Sequence, residues 1–181
     1  MAVIEIVVLA IWIMLPAYIP NNVAVIVGGG PPIDGGRTYK GTRLLGDGKT
    51  WRGTLGGILA GIIVAVVLTE LAPTMSDLVG FDVPTFSVVA MLSLPTGALL
   101  GDIAASFIKR RLDRERGSAV PGLDQYDLVV GSLGLTAIVA WGWLSGVMTW
   151  WIFIAILILT PILHVSTNVI AYLLRLKDVP W

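Results

Sequence analysis

The positively charged residues of this chain are gathered into three short stretches that apolar sequence separates. The twelve Lys and Arg residues fall within 37–52, within 109–116 and near the end of the chain, where the last two are Arg175 and Lys177. The apolar runs between them are about 20 residues long, the length at which a helix crosses the hydrocarbon core of a bilayer. Because an excess of Lys and Arg marks the cytoplasmic side of a membrane, we expect all three stretches on that side.

The composition excludes an ordinary soluble domain. Of the 181 residues, 56% are hydrophobic and only 13% are charged, whereas about a quarter of the residues are charged in a typical soluble protein. The chain has no cysteine, which excludes disulfide bonds and thiolate chemistry. The first apolar segment lacks the basic start of a signal peptide, so we interpret it as a retained helix. One membrane domain is expected over 1–181.

The predicted fold class is an all-α integral membrane protein with five transmembrane helices. The N-terminus is expected outside and the C-terminus in the cytoplasm. Prolines inside the first, third and fifth helices would free backbone carbonyls within the membrane, which favours a polar cavity among the helices. Glycines in the second helix predict close contact with a neighbouring helix. The helices are predicted near 3–26, 53–72, 85–108, 127–145 and 149–174, with cytoplasmic loops at 28–52 and 109–125.

One acidic residue is predicted deep within the third helix. Asp102 precedes Lys109 by seven residues, which is about 10 Å along a helix axis. An acid at that depth is costly without a cation or a water-filled cavity, so it indicates function. Ser106 and Lys109 share its helix face. The alternative is a structural ion pair between Asp102 and a Lys or Arg.

Two more acids, Asp124 and Asp127, begin the fourth helix three residues apart and therefore share a face. Capping a helix needs only one carboxylate, so the second, taken with Asp102, suggests a hard cation held by oxygen ligands. Mg²⁺ is bound by one or two carboxylates together with phosphate oxygens and water. Asn168 lies at a similar depth on the fifth helix, and a functional and a structural role are equally favoured there. For the nearby His164 we favour a neutral imidazole that bonds a neighbouring helix.

The first basic loop is rich in glycine, with eight glycines within 28–51. The run Gly48-Lys49-Thr50 suggests a phosphate-binding loop of the Walker A type, but Arg43 stands where that motif needs its first glycine. Glycines still let backbone N–H groups approach anionic oxygens, and Lys49 and Arg43 add charge. A basic loop resting on anionic lipid head groups is the alternative. Its length favours nucleotide or phosphate contact.

The two basic loops together resemble those of a known enzyme family. The stretch GDIAASFIKR at 101–110, followed by PGLDQYD at 121–127, resembles the membrane CTP:phosphatidate cytidylyltransferases. Gln125 stands where that family has Arg, and its K-D pair and H-G-G segment are absent. The short chain, GDGKTWRG at 46–53 and KRRLDRERG at 109–117 are similar to the archaeal CDP-archaeol synthase branch. The positions that match the wider pattern are Ser106, Lys109, Arg110, Pro121, Gly122, Asp124 and Asp127.

This resemblance implies a Mg²⁺-dependent transfer of a cytidylyl group from CTP to 2,3-bis-O-geranylgeranyl-glycerol 1-phosphate, with release of pyrophosphate. The implied metal ligands are Asp102, Asp124 and Asp127. The implied catalytic residues are these three acids and Lys109. Together with the interpretation of the loops and helices, we predict as substrate-binding residues Asp47, Lys49, Thr50, Arg43, Ser106, Arg110 and Asn168.

The expected partners are CTP, the isoprenoid ether-lipid phosphate and membrane lipids, with no nucleic acid and no protein partner indicated. The expected location is the cell membrane, with the active site on the cytoplasmic side. The same reaction on a diacyl phosphatidic acid stays open, as does a small anion transporter or scaffold. A CDP-alcohol phosphotransferase is disfavoured, because the D-x-x-D-G-x-x-A-R pattern of that class is missing: Leu128 and Val129 follow Asp127.

Overall fold

The structure is a computed structural model that describes residues 1–114, 120, 122–173 and 175. Pro121 of the matched pattern and Lys177 of the C-terminal basic pair lie outside the described residues, as does part of the predicted loop 109–125. The chain is mostly helical. Its elements are α1 Val3–Val27, β1 Thr38–Tyr39, β2 Thr42–Arg43, α2 Trp51–Val79, α3 Val88–Arg111, α4 Leu123–Val139, α5 Trp141–Val147 and α6 Trp150–Leu173.

A short β-ribbon in the first loop is a departure from the predicted all-α class. Strand β1 pairs antiparallel with β2, with Thr38 opposite Arg43. The two residues that connect the strands, Lys40 and Gly41, both have positive φ angles, of 51° and 81°. Two-residue turns of this kind match the right-handed twist of paired strands, and Gly adopts them without steric cost. The loop is therefore a folded element.

Among the described residues, four helices are long and apolar enough to cross a membrane, namely α1, α2, α3 and α6, and α4 with α5 makes a fifth if the pair is one span. We predicted one helix near 127–145, whereas the structure has α4 from Leu123 and a bend of 119° between α4 and α5. The backbone leaves the helical conformation at Ala140, and the Trp143 indole donates a 2.8 Å hydrogen bond to the Thr85 carbonyl. That bond ties α5 to the connection between α2 and α3.

Helix α2 continues to Val79, beyond its predicted end near 72, and Pro73 does not interrupt it. It ends at Gly80, whose φ of 77° is the left-handed conformation common after a helix. Helix α3 runs from Val88 to Arg111, three residues later at each end than predicted. The other helices, α1 and α6, begin and end within one residue of their predicted limits.

The prolines of α1 and α3 pack against glycines of α2. A Cβ atom added to Gly57 would lie 2.6 Å from the Pro20 carbonyl oxygen, and one added to Gly61 would lie 2.6 Å from that of Pro16. Pro95 of α3 also contacts Gly61, and all three prolines are fully buried. Small residues permit this close approach between helices. The polar cavity expected beside these prolines is therefore replaced by tight packing.

Helices α3 and α4 are in direct backbone contact. Gly97 and Gly101 of α3 face Gly131 of α4, and a Cβ atom on Gly101 would lie 2.8 Å from the carbonyl carbon of Asp127 and still closer to its oxygen. Further along the same contact, the Ser93 and Thr136 hydroxyls form a buried hydrogen bond of 2.8 Å. The residue after Gly101 is Asp102, so this contact places two of the predicted site acids on touching turns.

Arg111 joins the two loops at one end of the helix bundle. Its guanidinium, at the end of α3, donates hydrogen bonds to the carbonyls of Tyr39 at 3.2 Å and Arg43 at 2.9 Å. It also lies over the rings of Tyr39 and Phe107, with its central carbon 5.2 and 5.3 Å from their centroids. Such cation–π contacts add to the hydrogen bonds. The first loop is thereby held against the C-terminal end of α3.

Candidate functional site

Asp34 organises the first loop, a role that the sequence analysis did not assign. Its side chain is only 1% exposed and accepts hydrogen bonds from the backbone N–H groups of Gly36, Leu45 and Gly46 at 3.0 to 3.1 Å. The Arg43 guanidinium donates to the same carboxylate at 2.8 Å. Arg43 and these N–H groups hold the pKa of Asp34 well below its usual range. The sequence signal was an Asp before two glycines, which is typical of a turn.

Arg43 and Thr50 have structural partners that we had not predicted. Besides Asp34, the Arg43 guanidinium binds Asp47 at 2.7 Å, and the Asp47 side chain is 68% exposed. The Thr50 hydroxyl accepts a 3.1 Å hydrogen bond from the Gly53 N–H as the N-cap of α2, and Thr50 is 4% exposed. We had expected both side chains to contact substrate. In the structure Arg43 shapes the loop and Thr50 starts the helix, and substrate contact by either side chain stays a prediction.

Lys49 forms an ion pair with Asp102. Lys49 lies in the first loop, fifty-three residues before Asp102 in the sequence, whereas Lys109 lies on the same helix as Asp102. Both side chains are about a quarter exposed, so the pair is accessible from one side. The ion pair that we considered as an alternative for Asp102 is therefore present, and it links the glycine-rich loop directly to the deep acid of α3.

A second ion pair joins the end of α3 to the start of α4. The Lys109 ammonium binds Asp124 at 2.6 Å, and the other Asp124 oxygen accepts a hydrogen bond from the Val120 N–H at 2.8 Å. Asp127 lies one turn further along α4 and accepts a hydrogen bond from the Leu128 N–H. Its carboxylate interacts electrostatically with Asp102, Asp124 and Lys49. We call these five side chains the acidic cluster: Asp102, Asp124, Asp127, Lys49 and Lys109.

The oxygen donors of the acidic cluster fit a divalent cation in their chemistry. Carboxylates are preferred ligands of Mg²⁺, and three of them gather here with two ammonium groups. As placed, no three acidic or His side chains within the described residues are close enough to share one ion. Two of the three acids bind Lys instead. The three predicted ligands therefore do not form a metal site as placed, and their binding of one ion stays a prediction that requires the lysines to move.

The remaining predicted residues lie around the acidic cluster or on α6. Ser106 is half-buried one turn beyond Asp102. Arg110 lies beside Gly46, and its Nε–H is buried without a hydrogen-bond partner within the part of the chain that the structure describes. A buried donor of this kind is suited to an anion. Asn168 is half-buried on α6, one turn beyond His164, and its place in the site stays a prediction.

Comparisons with known proteins find a similar solved structure. A solved structure of an intramembrane enzyme for the biosynthesis of archaeal membrane lipids is similar, with a TM-score of 0.72 and 36% sequence identity over 88% of this chain and 92% of that one. Together with the apolar helices, this similarity identifies a multi-pass membrane protein.

Sequence relatives are similar along their whole length. The CDP-archaeol synthase of Haloarcula marismortui is 56% identical over all of both chains, and that of Natronomonas pharaonis is 54% identical over 99% of this chain and all of the relative. A family model described as CarS-like, CDP-archaeol synthase, matches residues 3–181. The resemblance seen in the two loops is thereby confirmed: the chain belongs to the CDP-archaeol synthase family.

Proposed function

We propose that this chain transfers a cytidylyl group from CTP to 2,3-bis-O-geranylgeranyl-glycerol 1-phosphate, giving the CDP-activated ether lipid and pyrophosphate. The observation that carries the proposal is the acidic cluster, formed where both basic loops meet in a member of the CDP-archaeol synthase family. The names of the relatives support the reaction. The chain is then a CTP-dependent nucleotidyltransferase of archaeal phospholipid biosynthesis.

The membrane arrangement that goes with this function has five spans, with α4 and α5 together as the fourth. The N-terminus lies outside, the C-terminus lies in the cytoplasm, and 1–181 is one membrane domain. This orientation is supported by the basic residues, which gather in the loop after α1 and at the end of α3. The acidic cluster then lies on the cytoplasmic side, where CTP is available.

The reaction asks the protein to bring two polyanions together. The lipid phosphate oxygen is already ionised near neutral pH and attacks the α-phosphorus of CTP. A P–O bond forms there while the bond from the α-phosphorus to the bridging oxygen breaks, and pyrophosphate leaves. No strong general base is needed, so charge neutralisation and in-line alignment are the main tasks. The side chains of the acidic cluster provide for both.

Each cationic residue of the site has a distinct place in this scheme. Lys49 and Lys109 are point charges held by Asp102 and Asp124, and both can exchange a carboxylate for a phosphate oxygen. Arg110 offers its buried Nε–H to an anion, and Ser106 lies on the Asp102 face. Asp34 acts at a distance, since it shapes the loop that delivers Lys49.

A divalent metal is generally required by nucleotidyltransferases, and Mg²⁺ is the ion that we propose. Asp102, Asp124 and Asp127 are the residues that would hold it, since they are the three carboxylates of the acidic cluster. Bound there with CTP, the ion would lower the negative charge at the α-phosphorus and on the departing pyrophosphate.

The test uses the purified protein in detergent with labelled CTP. Labelled lipid and pyrophosphate should form only when the lipid phosphate is added, and Asp102→Asn and Asp127→Asn should abolish both. Glu70→Gln, on α2 far along the chain from either loop, is the matched control and should keep full activity. Near-normal turnover by either Asp variant would remove that residue from the site. Faster turnover of a diacyl phosphatidic acid than of the ether lipid would reassign the substrate.

A further inference from the structure

The glycine-rich first loop is attached to α3 at two points. One is the ion pair between Lys49 and Asp102. The other is Arg111, nine residues further along α3, whose guanidinium binds the carbonyls of the β-ribbon. Nine residues are about two and a half helical turns, so the loop cannot slide along α3 without breaking one attachment. The Arg111 attachment therefore bears on where the Lys49 ion pair forms.

The loop depends on such attachments because its own chain is permissive. Eight glycines lie within 28–51, and six of them have positive φ angles. Glycine adopts positive and negative φ angles about equally readily, so a glycine-rich chain does little to fix its own course. Gly46 and Gly48 directly precede Lys49 in this stretch. Hydrogen bonds and ion pairs, rather than chain stiffness, therefore hold the Lys49 ammonium in place.

A continuous series of bonds leads from Arg111 to Lys49. Arg111 donates to the Arg43 carbonyl at 2.9 Å, and the Arg43 guanidinium donates to Asp34 at 2.8 Å. The Asp34 carboxylate accepts from the Gly46 N–H at 3.1 Å, and the Gly46 carbonyl accepts from the Lys49 N–H at 3.2 Å. Only the first of these bonds reaches outside the loop. Arg111 is therefore the point at which α3 holds the whole series.

The Arg111 guanidinium has little capacity left for a substrate. One terminal nitrogen donates to the Tyr39 carbonyl, and the other donates to the Thr42 and Arg43 carbonyls at 3.4 and 2.9 Å. The same group lies over the rings of Tyr39 and Phe107. A planar fork makes such bonds and stacks on rings at once, whereas a Lys ammonium is a single point charge. This arrangement fits a residue that places the loop and does not itself touch the reacting groups.

We propose that Arg111 is a positioning residue for cytidylyl transfer, because it fixes the loop from which Lys49 reaches Asp102. The proposal rests on the proposed function, in which the Lys49 ammonium exchanges Asp102 for a phosphate oxygen. Loss of the guanidinium weakens the attachment of the ribbon to α3, so Lys49 is paired with Asp102 for a smaller fraction of the time. A smaller fraction of the protein then holds Lys49 where alignment of the two substrates requires it.

The first test measures Lys49 itself and needs no activity. Substrate-free protein in detergent is treated with a trace of a water-soluble acylating reagent, and the modified lysines are quantified by mass spectrometry. In Arg111→Lys, which keeps the charge but loses the fork, Lys49 should be acylated about tenfold faster than in wild type. The matched control is Lys40→Ala, which removes an exposed cation over the same Tyr39 ring and should leave the Lys49 rate unchanged. Equal Lys49 rates in wild type and Arg111→Lys would overturn the proposal.

The second test is a double-mutant cycle on turnover. At saturating lipid phosphate, Arg111→Lys should lower kcat/KM for CTP by about tenfold. In a Lys49→Ala background the same change should have less than about a twofold effect, because the residue through which Arg111 acts is gone. Losses that multiply in full would show that Arg111 acts on substrate or on general stability, and the proposal fails.

The two tests separate failure of this proposal from failure of the proposed function. Wild-type protein that is inactive with every lipid phosphate would overturn the proposed function, whereas the acylation rates report the placement of Lys49 without any turnover. If Lys49→Ala has no measurable activity, the cycle cannot be closed and the acylation rates alone decide.

Discussion

Replacing Gly101 with Ala should separate the two deepest acids of the proposed site. The added Cβ atom would lie 2.8 Å from the carbonyl carbon of Asp127 and still closer to its oxygen. Real Cβ contacts are seldom under 3.4 Å, so the α3 and α4 backbones must part by roughly 1 Å, in a core where overpacking costs about 1–3 kcal/mol. Neither of these Asp127 atoms can be moved by a side-chain rotation, because both belong to the main chain.

The displacement acts directly on the reacting geometry. Asp102 follows Gly101, and Asp127 itself carries the carbonyl that must move. A misplacement of about 1 Å can cost on the order of 100-fold in rate when catalysis depends on alignment. We therefore expect Gly101→Ala to lose about that much kcat, measured as labelled lipid formed at saturating CTP and lipid phosphate. Thermal unfolding in detergent should show a loss of no more than about 3 kcal/mol.

Two other variants separate alignment from general loss of stability. Gly97→Ala strains the same helix contact one turn further from the acids, because its Cβ would lie 2.7 Å from the Cα of Ser132. It should lose similar stability but keep much more activity. In Gly142→Ala on α5 the added Cβ atom meets no atom within 4 Å, so this variant should retain both stability and activity. Wild-type kcat in Gly101→Ala, or equal losses of kcat in Gly97→Ala and Gly101→Ala, would refute the reasoning.

Three other predictions concern charge. Lys109→Ala should lose far more activity than Arg175→Ala, because Lys109 binds Asp124 of the acidic cluster whereas Arg175 is exposed beyond the end of α6; equal losses would indicate a general surface-charge effect. Asp34→Asn should cost about 1–3 kcal/mol, since a buried acceptor of several hydrogen bonds is weakened. The pKa of Asp34 is lowered by folding, so this advantage of wild type is complete above the unfolded pKa of about 3.9 and is lost as pH falls through the lower folded value. The melting-temperature gap between the two proteins should therefore be constant from pH 7 to about 5 and narrow below about 4; a gap that changes between pH 5 and 7 would contradict the assignment. Removal of divalent ions with EDTA should abolish cytidylyl transfer, and Mg²⁺ should restore it; full activity in EDTA would exclude the metal.

The helical character and the common helix face of two acids could be predicted because each depends on local sequence. Apolar length alone indicates a membrane helix, and the spacing of Asp124 and Asp127 places both on one face of α4. The close approach of α3 and α4 also has a local sequence signal, because Gly97 and Gly101 are four residues apart and lie on one helix face. That signal was available, but we had considered only the glycines of α2.

Other features depend on contacts between distant residues and could not be predicted. From the sequence alone several acids are candidate partners for Lys49, and the folded loop is what brings Lys49 to Asp102. The burial of Asp34 follows from three N–H groups that converge only when the loop closes. Helix α5, which follows the bend at Ala140, is held by a hydrogen bond from Trp143 to the distant Thr85 carbonyl. Sequence spacing carries none of this information.

The hydrogen bonds from Arg111 to the β-ribbon have a practical consequence for labelling. Arg111 bonds main-chain carbonyls there, which every amino acid supplies, so the attachment tolerates new side chains at the ribbon's turn. Lys40 in that turn is exposed, and the chain contains no cysteine. A single cysteine introduced at position 40 would therefore accept one fluorophore at a unique thiol, placed to follow the loop's encounter with nucleotide in real time.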